Sequence, residues 1–406
     1  MKIKNLFLAV LMFATVSLQA QDVDKATVEA QAEAGKTAVN DLKKVDTGEK
    51  AWKFDGVVGL NAAATGLVNW AAGGKNNVNG VAYAKLHLLY HKDAIAWETN
   101  FDTDFGMTWI DQEEDKFQKS SDNIKLLTKF GWEFHKNWYL TVLGGFQSQY
   151  ALGRDYLTGY DPIISKWLAP SYTDISVGID WKTEVKGANF SIYLSPIAGR
   201  ITTAYVGDKW NDKYTDEMVE NVLVVDDKTY TPAAYIAAYQ AGEAGFSLPA
   251  GVTNEEELRA NIVESCGGDI RHQLQDAYGT YKINDASEKE YKNFRAEMGL
   301  SIKGALSYKY KDLTLTSALS LFTPYAWDKT EIDDEYFKYK DMNRRFGNFD
   351  VDWDVAISYQ FLKVLNVTLQ TSLKYYNGTL IENKDGVAAE RVQFKSVLGL
   401  GIGYSF

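Results

Sequence analysis

The sequence predicts an all-β fold: a closed antiparallel transmembrane β-barrel of about twelve strands, carrying a partly helical extracellular insertion. Three observations predict it. Apolar and polar residues alternate with period two in run after run. No stretch after the N-terminal segment is apolar enough for a membrane-spanning helix. The connections between runs alternate between tight and long, as in outer-membrane barrels.

The chain opens with Lys2 and Lys4, an apolar run over 6–18 and the small residue Ala20. This is the charged, apolar and small-residue order of a secretory signal peptide over 1–20, with Leu18 larger than the residue usual three before a cut. Residues 21–50 are rich in Ala, Glu, Asp, Lys and Val and nearly lack aromatics, which predicts a solvated periplasmic tether. Alternation begins at Trp52, so the barrel is expected over 51–406.

The last run shows the pattern best. Val392, Phe394, Leu398, Leu400, Ile402, Tyr404 and Phe406 share one parity, whereas Arg391, Gln393, Lys395 and three glycines share the other. Phe349, Val351, Trp353, Val355 and Ile357 likewise oppose Asp350, Asp352 and Asp354, and Phe294, Met298, Leu300 and Ile302 oppose Arg295, Glu297 and Lys303. Ile95, Trp97, Phe101 and Phe105 oppose Glu98, Asp102 and Asp104; Ile124, Leu126, Phe130 and Trp132 oppose Lys125, Lys129 and Glu133. Strands near 52–62, 78–90, 138–150, 172–181, 190–202, 313–323 and 367–375 complete the set. Soluble sandwiches also alternate, but their strands average roughly five or six residues, and most runs here are about twice that.

Tight turns are expected at Lys92-Asp93, Lys136-Asn137, 184–187, Lys311-Asp312 and Leu362-Lys363, with long loops between them. An even strand count puts both termini on the short-turn, periplasmic side. Aromatics such as Trp52, Trp138, Trp181 and Tyr310 cluster near one set of strand ends and Trp109, Phe294 and Tyr375 near the other, the positions of interfacial girdles.

The segment Asn69-Trp70-Ala71-Ala72-Gly73-Gly74, shortly after the first strand, resembles the signature of a Bacteroidota-type outer-membrane family of unknown function. That resemblance implies a barrel in the cell outer membrane over about 52–406 and implies no activity, so Asn69, Trp70, Gly73 and Gly74 are taken as a signature loop only. The terminal Phe406 resembles the signal by which barrels engage the assembly machinery.

The sequence carries little sign of catalytic chemistry. There is no Gly-x-Ser-x-Gly elbow, and none of His87, His91, His135 and His272 has a serine two positions on, as a phospholipase-type barrel would require. A lipid hydrolase is therefore the weakest alternative, and no catalytic residue, cofactor or metal is assigned. His87 and His91 stand about 13 Å apart on a strand, too far for one zinc ion. Asp350, Asp352 and Asp354 begin like a calcium loop, but Val355 stands where such a loop needs glycine. A formal net charge of −11 argues against a nucleic-acid partner, which needs a basic footprint.

The charged parity is expected to line the lumen: Asp102, Asp104, Lys125, Lys129, Glu133, Arg295, Glu297, Lys303, Asp350, Asp352, Lys374, Arg391 and Lys395. Such a lining fits a non-enzymatic channel or small-solute transporter embedded in outer-membrane lipid. The capacity of the barrel is the difficulty, since about eight strands are filled by side chains and sixteen leave an aqueous channel. The alternative is a structural or partner-binding barrel acting through its long loops. The longest, 207–290, contains segments 233–244 and 255–275 of helical composition, fitting either a rim cap or a lid. Cys266, the single cysteine, excludes an internal disulfide.

Overall fold

A computed structural model describes residues 51–65, 75–111, 113, 115–156, 162–283, 289–325, 329–330, 342–343, 346–361, 365–377, 380–382 and 388–405. The expected signal peptide, tether, signature loop and Phe406 lie outside these residues.

The fold is mostly antiparallel β-sheet. Its long strands are β1 (Trp52–Thr65), β2 (Asn77–Lys92), β3 (Ile95–Ile110), β4 (Phe117–His135), β5 (Trp138–Ser148), β6 (Ser171–Val185), β7 (Ala188–Thr203), β8 (Phe294–Tyr310), β9 (Leu313–Pro324), β10 (Asp350–Gln360), β11 (Leu365–Tyr375) and β12 (Gln393–Ser405). Each pairs with the next in chain order, and β1 also pairs with β12 through Val57–Ser405, Val58–Tyr404 and Gly59–Gly403. Every one is at least as long as the nine to eleven residues a tilted strand needs to cross a bilayer. No helix among the described residues is long and apolar enough to cross a membrane.

Period-two alternation sorts the side chains onto two faces. On β5, Thr141 and Leu143 are buried while Leu140 and Val142 are exposed. On β6, Ser176 and Asp180 are buried while Ile175, Val177 and Ile179 are exposed. The exposed face is the apolar one, inverted from a water-soluble protein, where contiguous apolar patches beyond a few hundred Å² are rare. Its rings meet across strands, as in Trp52–Tyr90 at 4.8 Å and Trp138–Trp181 at 6.4 Å between centroids.

Short turns at 93–94, 136–137, 186–187 and 311–312 mark one end of the sheet. Lys186 and Gly187 take φ of 50° and 79°, the positive pair of a type I′ hairpin, whose twist matches the strands. Two turns thus differ slightly from expectation: Asp93-Ala94 replaces Lys92-Asp93, and Lys186-Gly187 narrows 184–187, because ladder pairing continues to Lys92 and Val185.

One irregularity governs the inner face. On β7, Ser195 and Pro196 oppose the single residue Gly178 of β6, where the register shifts. Proline has no N–H for the ladder and is confined to edges and bulges. Ser195 Oγ lies 2.8 Å from both the Val177 and Ile197 carbonyls, satisfying groups the bulge frees. Before it Tyr193 and Ser195 face inward; after it Ala198, Arg200 and Thr202 do.

The insertion between β7 and β8 contains α1 (Asp208–Val222), α2 (Pro232–Gln240), α3 (Glu255–Ser265) and α4 (Ile270–Ala277). Sequence reading expected helix only at 233–244 and 255–275. It missed α1, and it joined α3 to α4 across Gly267 and Gly268, whose φ of 84° and 101° end the first helix. Thr231, Asn254 and Asp269 cap α2, α3 and α4 by accepting backbone N–H groups. Tyr214, Met218, Val219, Leu258, Ile262 and Leu274 are among the residues of a buried core separate from the sheet. Cys266, which ends α3, packs half-buried against it.

Candidate functional site: two ion-paired belts on the inner face

The inner face carries two clusters of paired charge. The first lies toward the short-turn end. Lys129 on β4 pairs with Asp180 on β6, skipping β5, and Lys182 reaches the same carboxylate at 3.7 Å. Asp180 is fully buried and also accepts from Ser191 Oγ at 2.8 Å. Beside them His87 Nε2 stands 3.4 Å from Glu98. Lys129 lies 5.6 Å from the centroid of Tyr193, whose hydroxyl donates to Ser176 at 2.9 Å. Glu98, Lys129, Thr141 and Lys182 line a small crevice here.

The second cluster lies toward the long-loop end. Arg200 on β7 donates to Asp174 at 3.2 Å and to Asp350 at 3.1 Å, and stacks 4.4 Å from the Phe322 ring centroid. Asp350 is buried and also accepts the backbone N–H of Asn377 at 2.9 Å. Asp352 accepts from the Tyr376 hydroxyl at 2.7 Å and pairs with Lys374 at 3.3 Å. Asp354 accepts from Ser372. The three carboxylates of β10 therefore diverge to separate partners instead of converging on an ion. Among the described residues no group of three His, Cys, Asp or Glu side chains is arranged to hold a metal.

The remaining candidates scatter. Asp104 is buried and accepts from Ser121. Asp102 sits opposite Lys85 on one side and Lys125 on the other. Glu133 accepts the backbone N–H of Asn137 at 2.8 Å, which binds it to the β4–β5 turn. Arg295 donates to the Gly279 carbonyl of the insertion at 3.0 Å and lies 3.7 Å from Glu297. Lys303 stands opposite Tyr193 and Ser320. Arg391 is half-buried, and the Lys395 side chain lies outside what is described.

Several members of the belts were not anticipated: Asp174, Asp180, Lys182, Arg200, Tyr193, Phe322 and Tyr376. Asp174 and Asp180 share a parity that strict alternation along β6 would have found. Arg200 could not be found that way, because Pro196 changes the parity that faces inward.

Chemically, each belt holds opposite charges in direct contact and mostly out of solvent, where attraction is screened least. At either belt the inner face presents fixed, mutually neutralised dipoles instead of an open ring of one sign.

A family model described as "Protein of unknown function (DUF3078)" matches residues 63–153, less than a quarter of the chain. No curated protein matches. Among solved structures, the chain is similar to an outer membrane channel from Pseudomonas putida F1, at 11% identity over 89% of this chain and 100% of that one, with a TM-score of 0.35. It is similar also to the translocator domain of the autotransporter NalP from Neisseria meningitidis, at 8% identity over 89% and 90%, with a TM-score of 0.33. Outer membrane phospholipase A from Escherichia coli is a third, at 10% identity over 92% and 97%, with a TM-score of 0.29. Likeness of this degree assigns no role.

Proposed function

We propose that the chain is a non-enzymatic protein of the cell outer membrane, a closed barrel of twelve strands that passes small solutes through a narrow polar lumen. One observation carries this reading: the sheet buries its charged and polar face and exposes its apolar face. Such an inversion suits a cylinder whose outside meets hydrocarbon. The pairing of β1 with β12 supports closure. In this reading the short turns and the tether face the periplasm, the insertion faces outward, and Phe406 serves the assembly machinery.

The two belts support a narrow passage over a wide pore, because Lys129–Asp180 and Arg200–Asp350 each connect strands that are not neighbours. The test is single-channel recording of the purified mature chain in planar bilayers. Small, discrete current steps are expected; silence at every voltage and salt concentration would remove the channel. The core that the insertion builds with the β5–β6 connection, apart from the long strands, favours a second reading, a barrel that engages a partner through its loops. Deleting 207–290 would then abolish partner capture while the barrel still resists SDS on an unheated gel.

A further inference from the structure

We infer that the seam between β1 and β12 is a lateral opening that binds a single-chain amphiphile of the fatty-acid class. The inference rests on the barrel reading above and deepens it by naming the class of solute.

The observation is where the ladder stops. Every other pair of neighbouring long strands is registered over ten or more residues. By contrast, β1 and β12 share only the rungs Val57–Ser405, Val58–Tyr404 and Gly59–Gly403 among the described residues. The same register continued would add the rungs from Leu60–Ile402 to Thr65–Val397, and among the described residues none of these is formed. Neither strand has ended there. Residues 60–65 stay paired with 77–82 of β2, and 397–402 with 365–370 of β11. Two ordered edges therefore run on from a common rung toward the long-loop end without joining, over about 20 Å of strand.

The walls of the gap define what fits it. Alternate residues of an antiparallel strand point their N–H and C=O groups to the same side, so each edge presents backbone donors and acceptors to the gap. Such groups are costly when left alone in hydrocarbon, and the oxygens of a carboxyl head accept from the N–H groups. The outward parity beside the gap is apolar: Val58, Leu60 and Phe394 are exposed by 44%, 61% and 68%, a surface for an acyl chain. On the inward parity stand Gly399, Gly401 and Gly403, so this edge of β12 sets no side chain between gap and lumen. The Tyr83 ring lies against Gly59, over the last formed rung, and marks the floor of the opening. Because the edges diverge from that rung, the gap is a wedge. It suits one chain better than the paired chains of a bilayer phospholipid. A polar head toward the lumen and a tail toward hydrocarbon describe a fatty acid.

The experiment uses the full mature chain with Cys266→Ser in phosphatidylcholine vesicles and compares two cysteine pairs of one parity. Val58→Cys with Tyr404→Cys spans a formed rung, and Ala62→Cys with Leu400→Cys spans the parted stretch. Opposed Cβ atoms of a formed rung lie within reach of a disulfide, so under copper phenanthroline the first pair should close about tenfold faster than the second. Palmitic acid is expected to slow the second pair severalfold further and to leave the first unchanged. Equal rates mean a continuous ladder and overturn the opening. A second pair whose rate palmitic acid leaves unchanged or raises overturns the amphiphile. Disulfide-linked dimers in place of the intramolecular bond overturn it in favour of another copy of the chain at the edge. Should the second variant lack its SDS-resistant band, Ala64→Cys with Leu398→Cys reads the same stretch. Silence in planar bilayers beside the expected rates removes the channel and spares the binding site. Failure of the Cys266→Ser chain to enter vesicles at all removes the barrel reading and this inference together.

Discussion

Arg200 and Asp350 meet at 3.1 Å although β8 and β9 separate their strands in the sheet. The contact is a strut across the inner face, and Asp350 is nearly sealed from water beneath it. Removing one partner of a buried pair strands the other charge, at a cost of about 3–5 kcal/mol. Arg200→Ala should lower the free energy of urea unfolding from vesicles by that amount and raise the unit conductance by opening the second belt. A conductance unchanged in the variant would mean that ions do not pass this belt.

Val142 stands mid-strand on β5 and is 45% exposed. On a water-soluble sheet, Val142→Arg would be close to neutral. On a lipid-facing strand near the midplane, an arginine costs about 2–4 kcal/mol. Equilibrium unfolding from vesicles separates the two, and a loss below about 0.5 kcal/mol would contradict the lipid-facing assignment.

Gly178 faces the bulge, and a Cβ there would strike the Leu194 carbonyl and the Ser195 backbone. Backbone cannot move aside as a side chain can. Gly178→Val should cost at least the about 1–3 kcal/mol typical of overpacking and reduce the SDS-resistant band during refolding.

Leu258 is buried in the core that the insertion shares with Ile163 and Ala169 of the β5–β6 connection. Leu258→Ala should destabilise that unit by about 2–5 kcal/mol. Limited proteolysis is expected to cut the insertion while leaving the strands protected, which shows that the two units unfold separately.

Glu257 accepts the backbone N–H of Thr253 at 2.7 Å and its hydroxyl at 2.8 Å, and these bonds hold its carboxyl below the ordinary 4.5. A depressed carboxyl stabilises the folded state above its unfolded value and loses that contribution as pH falls through the folded one. The start of α3 should therefore exchange its amide hydrogens faster as pH drops below 4.5, after correction for intrinsic rates. Glu257→Gln should abolish that dependence.

What could be read from the residues was what local pattern encodes. Alternation located the strands, and Lys136-Asn137 and Lys311-Asp312 marked their turns correctly. The contacts between strands were hidden, because nothing local links Lys129 to Asp180 or Tyr376 to Asp352. Arg200 was obscured by one extra residue at Pro196, which shifts every later side chain of β7 to the other face. Helix α1 escaped because Trp210, Tyr214 and Val222 suit strands as well as helices. Their fourfold spacing with Met218 was the available signal. The break after Ser265 was visible as Gly267-Gly268 and was read through.

The insertion leaves and re-enters the sheet at Thr203 and Phe294, which face each other in the ladder, and the Ala204 N–H bonds the Asn293 carbonyl just beyond. Its two ends are therefore as close as neighbouring strands permit. Whatever sits there is carried on a stalk of fixed width, so an unrelated folded module with adjoining termini could be grafted in its place, making the protein a ready-made display scaffold.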